Sequence, residues 1–219
     1  MTDIVCIGEP LGEFNATRGE AGAYRFGLGG DTSNCAVAAA RQGASVAYVG
    51  ALGDDEPGRS WRSLWADEGV DDSHVSTHPS APTGLYFVSH GPQGHVFSYL
   101  RAGSAASLYG PAQLPKELIA SAKVIQASGI SQAISASACD AVFEAFSIAR
   151  ENGVLTAYDT NLRLKLWPLT RARAIVHAAC GMADIVLPGD GDAKLLTGLE
   201  QPDAIVDFYL KLGDRKSVV

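Results

Sequence analysis

Four short segments of this sequence combine residue types and spacings that suit chemistry on a small polar molecule. The first, GLGGDTSN at 27–34, runs into an alanine-rich stretch. Paired glycines let the backbone pass close to a ligand, and a helix that follows offers unpaired N–H groups. Asn34 can both donate and accept, as a polyhydroxylated ligand requires. A glycine-rich turn leading into a capped helix would look the same locally. The second segment carries Tyr99 and Arg101, which share a face if the chain is a strand there. A guanidinium fork beside a phenol makes a carboxylate clamp in a chain of net charge −7. A solvated strand end with a cross-strand aromatic is the plainer reading. Tyr86, on the expected partner strand, would join this pair.

The third segment is AYDTNLRLKLW at 157–167. Asp159, Asn161 and Arg163 gather where an apolar run gives way to a loop, which packing alone does not call for. An Asp–Arg pair fixing the loop would account for part of it. The fourth is ADIVLPGDGDAKLLTG at 183–198, where Asp190 and Asp192 open an expected helix. First-turn acids stabilise a helix without any further role. They could also organise magnesium and its waters near a nucleotide.

Other chemistries lack their residues. No GxxxxGK[ST] occurs, neither IGEPLG nor LGG completes GxGxxG, and no GxSxG elbow stands out. Cys6, Cys35, Cys139 and Cys180 are scattered without a CxxC pair, so buried reduced thiols are expected rather than a zinc site or disulfides. His74 and His78 lie four apart, but their neighbours Asp, Ser, Thr and Pro suggest a loop rather than a metal-binding helix. The acidic balance argues against nucleic-acid partners. The apolar run at 4–7 is too short for a membrane span or a signal-peptide core. A soluble cytoplasmic protein is expected.

The elements that must position these segments alternate in type. Apolar runs rich in Val, Ile and Ala at 3–8, 45–50, 123–128, 155–158 and 184–187 predict parallel strands covered on both faces. Helices are predicted at 31–42, 58–68, 137–152, 170–181 and 202–212, three of them closing at Gly43, Gly69 and Gly153. Two segments break this rhythm. Residues 9–29 are polar and glycine-punctuated, and 83–101 alternate with period two around GPQG at 91–94, as a hairpin does. Ligands in open α/β sheets bind at the carboxyl ends of the strands. These two segments are therefore expected to form a small β lid over that crevice, inserted in one domain spanning 1–219.

Taken together and in order, these residues resemble the ribokinase/PfkB carbohydrate kinases over the whole chain. VCIGEPLGEF is similar to the first strand and lid entry, and GGDTSNCAVAAARQGASVAYVGALGDDEPG to the N-terminal signature. DTNLRLKLW and YLR are similar to the versions found in 2-keto-3-deoxygluconate kinases. The resemblance implies a ribokinase-like α/β sandwich with a mostly parallel central sheet and a β lid. It implies ATP- and Mg2+-dependent phosphorylation of a sugar acid, with fructose, ribose or another sugar as the alternative. A non-catalytic sugar- or partner-binding remnant is the other. Gly30, Asn34, Tyr86, Tyr99, Arg101 and Arg163 would bind substrate. Asn161, Arg163, Gly189 and Asp192 would face the nucleotide, and a homodimer would form through the lid. One departure is local: the family's Asn-x-x-Glu element falls on Gly189 and Asp192. A second is larger, because the Gly-Ala-Gly-Asp segment that supplies the general base is expected beyond Val219. The chain alone is therefore expected to be inactive.

Overall fold

The structure is a computed structural model that describes residues 2–91 and 94–213. The chain begins with β1 (Ile4–Ile7), then leaves for a ribbon of β2 (Leu11–Ala16) and β3 (Tyr24–Gly29). Helix α1 (Asp31–Arg41) returns it to β4 (Val46–Gly53), and α2 (Glu56–Glu68) leads to the short strands β5 (Val70–Asp71) and β6 (Val75–His78). A second ribbon, β7 (Gly84–Gly91) and β8 (Gly94–Leu100), follows. The chain then alternates through α3 (Lys116–Ser121), β9 (Val124–Ser128), α4 (Gly129–Ala133), α5 (Ala136–Glu151), β10 (Leu155–Asp159), α6 (Leu169–Cys180), β11 (Ile185–Leu187), α7 (Asp190–Thr197) and α8 (Pro202–Leu212).

Seven strands form the central sheet in the order β11-β10-β9-β1-β4-β5, with β6 also beside β4. Every pairing in it is parallel. Successive strand residues point to opposite faces, and the buried side chains divide accordingly. Val5, Ile7, Val49 and Ala51 belong to one apolar cluster with α5 and α6, while Cys6, Tyr48 and Leu52 belong to another with α1 and α2. Trp61 and Trp65 of α2 are fully buried in the second cluster, and Tyr48 stacks on Trp65 at 4.7 Å. No described helix is long and apolar enough to cross a membrane.

The mostly parallel α/β fold expected from the sequence is what forms. The segment around His74 and His78 differs: Val75–His78 is a strand in parallel register with Gly50–Gly53, not a loop. The added backbone pairing outweighs a polar composition that by itself suggests a turn. Helix α2 starts two residues earlier than expected because Asp55 caps it, its carboxylate accepting from the Gly58 amide at 2.9 Å. Short helices α3 and α4 had no readable signal. The middle of the GPQG turn and the strand expected to be under way at Val219 lie outside the described residues.

The two irregular segments form one four-stranded sheet, β3-β2-β7-β8. Each ribbon is antiparallel within itself, and a parallel pairing of β2 with β7 joins them. Two contacts fasten this sheet to the body. The Trp61 indole donates to the Leu11 carbonyl at 3.0 Å. Asp55 accepts from both the amide and the hydroxyl of Thr83 at 2.7 Å, just where β7 begins. Thr83 is buried, so removing its acceptor leaves polar groups without water or partner. Asp55→Ala is expected to lower the unfolding free energy by about 2–3 kcal/mol in urea denaturation, combining cap loss with orphaned donors. Asp55→Asn should recover part of that loss, since an amide oxygen still accepts.

Candidate active site

Between the four-stranded sheet and the carboxyl ends of β1, β9 and β10 lies a cavity of about 450 Å³. Its lining includes Gly30, Asn34, Tyr86, Tyr99, Arg101, Asn161 and Arg163, together with Glu9, Asp31, Phe97 and Lys165. Arg101 and Arg163, 62 positions apart by number, thus meet around one space. Gly189 and Asp192 do not line it.

The glycine pair at the head of α1 is required sterically. Gly30 has φ +133°, a conformation that L side chains rarely adopt, and a Cβ there would sit 2.6 Å from the Glu9 carbonyl oxygen. The helix that follows places both Asp31 and Asn34 in the lining. Asp31 Oδ1 accepts from the Thr32 amide at 2.8 Å; Oδ2 accepts from the Ser128 hydroxyl and from Asn161 Nδ2 at 2.9 Å. Asn161 is the one described non-glycine residue with positive φ, +28°. Its amide donates to Asp159 Oδ1 at 3.1 Å, so two carboxylates hold it from opposite ends.

Arg163 follows on an exposed turn. Its Nη1 donates to the Leu162 carbonyl at 2.8 Å and lies 4.0 Å from Asp192 Oδ2. The same Asp192 oxygen accepts from the Leu162 amide at 2.8 Å. Asp192 therefore supports the turn from behind. Asp190 pairs with Lys194 at 2.9 Å, one turn along α7. With both acids committed, and no cluster of three metal-ligating side chains among the described residues, the residues around Gly189 do not fit a ready-made magnesium site.

From the other sheet, Tyr86 and Tyr99 are direct cross-strand partners with ring centroids 6.0 Å apart. The Tyr86 hydroxyl donates to Glu13, and burial together with that acid pushes its pKa up. Arg101 departs from the open clamp that its spacing suggests. It is buried and ion-paired with Glu9, which is itself wholly buried and accepts from Ser104 Oγ at 2.5 Å. Burial pushes Glu9 upward while Arg101 and Ser104 pull it back. The guanidinium also lies 5.6 Å from the Tyr99 ring centre.

Sequence reading overlooked Glu9, Asp31, Phe97 and Lys165. The first two had a signal, since each is an acid placed immediately after an apolar strand or a glycine pair, where a solvated face is not available.

The profile of the pfkB family carbohydrate kinases matches residues 1–219, and the chain belongs to that family. It is 35% identical to a 2-dehydro-3-deoxygluconokinase of Thermoproteus tenax, over 97% of this chain and 67% of that protein. It is 38% identical to fructokinase-1 of Oryza sativa subsp. japonica, over 95% of this chain and 66% of that one. The chain thus spans about two thirds of the length of these relatives. The crystal structure of a PfkB protein from Polaromonas sp. JS666 superposes with a TM-score of 0.95 at 32% identity, covering 100% of this chain and 76% of that one.

Asp159, at the end of β10, is held near pKa 6 by burial and by the charge of Asp31. Its folded value lies above the unfolded one, so the folded state binds the extra proton between about pH 4 and 6. Its contribution to stability is therefore lost as pH rises through about 6. Asp159→Asn is expected to raise the unfolding free energy at pH 8 by about 1–2 kcal/mol, allowing for partial solvent screening, and to change little at pH 4. Urea denaturation at both pH values checks this; a variant less stable than wild type at pH 8 would refute it.

Proposed function

We propose that this protein takes part in ATP-dependent phosphorylation of a sugar acid, with 2-keto-3-deoxygluconate as the substrate and its terminal primary alcohol as the acceptor. The observation that carries the reading is the single cavity into which the glycine-led helix, the paired tyrosines, Asn161 and Arg163 all project. Hydroxyl-binding groups line one side, and cations stand near where an acid group and a transferred phosphoryl group would lie. In phosphoryl transfer the protein works by positioning and charge stabilisation rather than covalent chemistry. Arg163 would balance charge on the moving group, Asn161 would face the nucleotide phosphates, and Gly189 and Asp192 would support that end. ATP would be the donor.

Deprotonating the alcohol needs a free carboxylate, and the acids of the lining are committed. Glu9 is held by Arg101 and Ser104, and Asp31 by Thr32, Ser128 and Asn161. The resemblance to the PfkB kinases implies that a Gly-Ala-Gly-Asp segment supplies the general base. A second reading, a kinase for fructose, draws support from a fructokinase relative at 38% identity and from the pairing of Arg101 with Glu9, which reduces the pull on an anion. Calorimetric titration separates the two: 2-keto-3-deoxygluconate is expected to bind more tightly than fructose. Arg163→Met should weaken both the acid and a nonhydrolysable ATP analogue about tenfold. Tighter fructose binding would favour the second reading, and binding of neither sugar would defeat both.

A homodimer in the cytoplasm, formed through the lid, belongs to the same proposal. The face of the four-stranded sheet turned away from the cavity carries Phe14, Phe26, Phe87 and Tyr24 in contact, with centroids 5.1–5.5 Å apart. Leu100 beside them is 62% exposed. An apolar patch of this kind suits a self-complementary interface. Phe26→Asp is expected to shift sedimentation velocity from dimer to monomer; a wild-type protein that sediments as a monomer would contradict the proposal.

A further inference from the structure

Three cations line the cavity, and their surroundings make them unequal. Arg101 is buried and already faces the carboxylate of Glu9. Arg163 spends one nitrogen on the Leu162 carbonyl and lies within 4.0 Å of Asp192. Lys165 is different. Its ammonium donates to the Phe97 carbonyl of β8 at 3.0 Å, and no described carboxylate pairs with it. An ammonium carries three donors, so this contact leaves two for a ligand.

The position of Lys165 is fixed from both ends. Leu162 and Trp167, which flank the turn, are buried in the main apolar cluster. The Leu166 amide closes the turn on the Arg163 carbonyl at 2.9 Å. This geometry carries Arg163 and Lys165, two residues apart, into one lining. The acceptor at Phe97 belongs to an edge strand, whose outward carbonyls have no neighbouring strand to bond. Phe97 also supplies its ring to the cavity wall and stacks near Tyr99 at 6.4 Å.

We propose that Lys165, rather than Arg101, is the specificity-determining cation that recognises the acid group of the substrate, and that its bond to Phe97 makes this recognition depend on the lid strand being in place. This rests on the sugar-kinase reading and deepens it. Arg101, neutralised by Glu9, then acts as a positioning residue that fixes the start of the lid beneath Tyr99. The same ammonium would also suit a phosphate, so the test must separate the two anions.

Titration calorimetry on the protein with 2-keto-3-deoxygluconate, fructose and a nonhydrolysable ATP analogue makes that separation. Lys165→Met is expected to lower the acid-to-fructose affinity ratio about tenfold, the order expected for loss of one charge-assisted hydrogen bond at a partly exposed site. Lys165→Arg should keep the ratio within about threefold of wild type, because the charge and a donor for Phe97 both remain. The paired variant Glu9→Gln with Arg101→Met, which leaves no buried charge unmatched, should shift the ratio less than Lys165→Met does. An unchanged ratio in Lys165→Met overturns this inference alone. Weakened binding of the ATP analogue in place of the acid assigns the ammonium to phosphate and also overturns it. A wild-type protein that binds neither sugar overturns it together with the reading on which it rests.

Discussion

The carboxylate of Asp31 is the point at which the cavity end of the molecule is tied together. It sits at the start of α1 and receives hydrogen bonds from the Thr32 amide, from Ser128 at the end of β9, and from Asn161 just past β10. Three segments far apart in sequence thereby share one acceptor group. A residue with φ of +28° costs conformational energy, and Asn161 holds that shape because Asp31 and Asp159 grip its two ends. The turn held in this way presents Arg163 and Lys165 to the cavity. The elevated pKa of Asp159 is a trace of the same arrangement, since burial at the sheet end raises it and the charge of nearby Asp31 adds to the rise.

A second acid, Glu9, performs a similar task for the lid. It leaves β1 at the centre of the body and neutralises Arg101 at the end of the lid hairpin. A buried ion pair adds little net stability, because desolvation offsets much of the attraction. What it does provide is a shared anchor, since Arg101 and Ser104, at and just past the end of the hairpin, both meet the same carboxylate. Together with the Asp55–Thr83 contacts, it fixes where the lid starts. The position of the paired tyrosines over the cavity follows from that.

Much of this was legible in the amino-acid order. The parallel strands showed themselves as continuous apolar runs, and helix ends showed themselves as glycines with positive φ at Gly43, Gly69 and Gly153. Lid segments stood out because their period of two interrupts the helix–strand rhythm. The residues brought to one cavity had also been singled out, apart from those whose role depends on a partner distant in sequence. Nothing local shows that Glu9 will meet Arg101, or that Asp31 will meet Asn161; both are long-range pairings decided by the sheet order. The same holds for β6, where a polar tetrapeptide becomes a strand only because β4 extends beside it. Short helices such as α4 were hidden for a related reason, since five residues offer too little periodicity to read.

The parallel joint between β2 and β7 bears on how the molecule is made. About 70 residues separate the two strands, and the chain between them builds α1, β4 and α2. Parallel pairing over such a separation closes a long loop before it gains any contact. During synthesis the first ribbon, with Phe14 and Phe26 exposed, must wait until the second has emerged. The flap thus cannot order before β8 has emerged, and until then the bare aromatic face of the first ribbon is open to sticking to its neighbours.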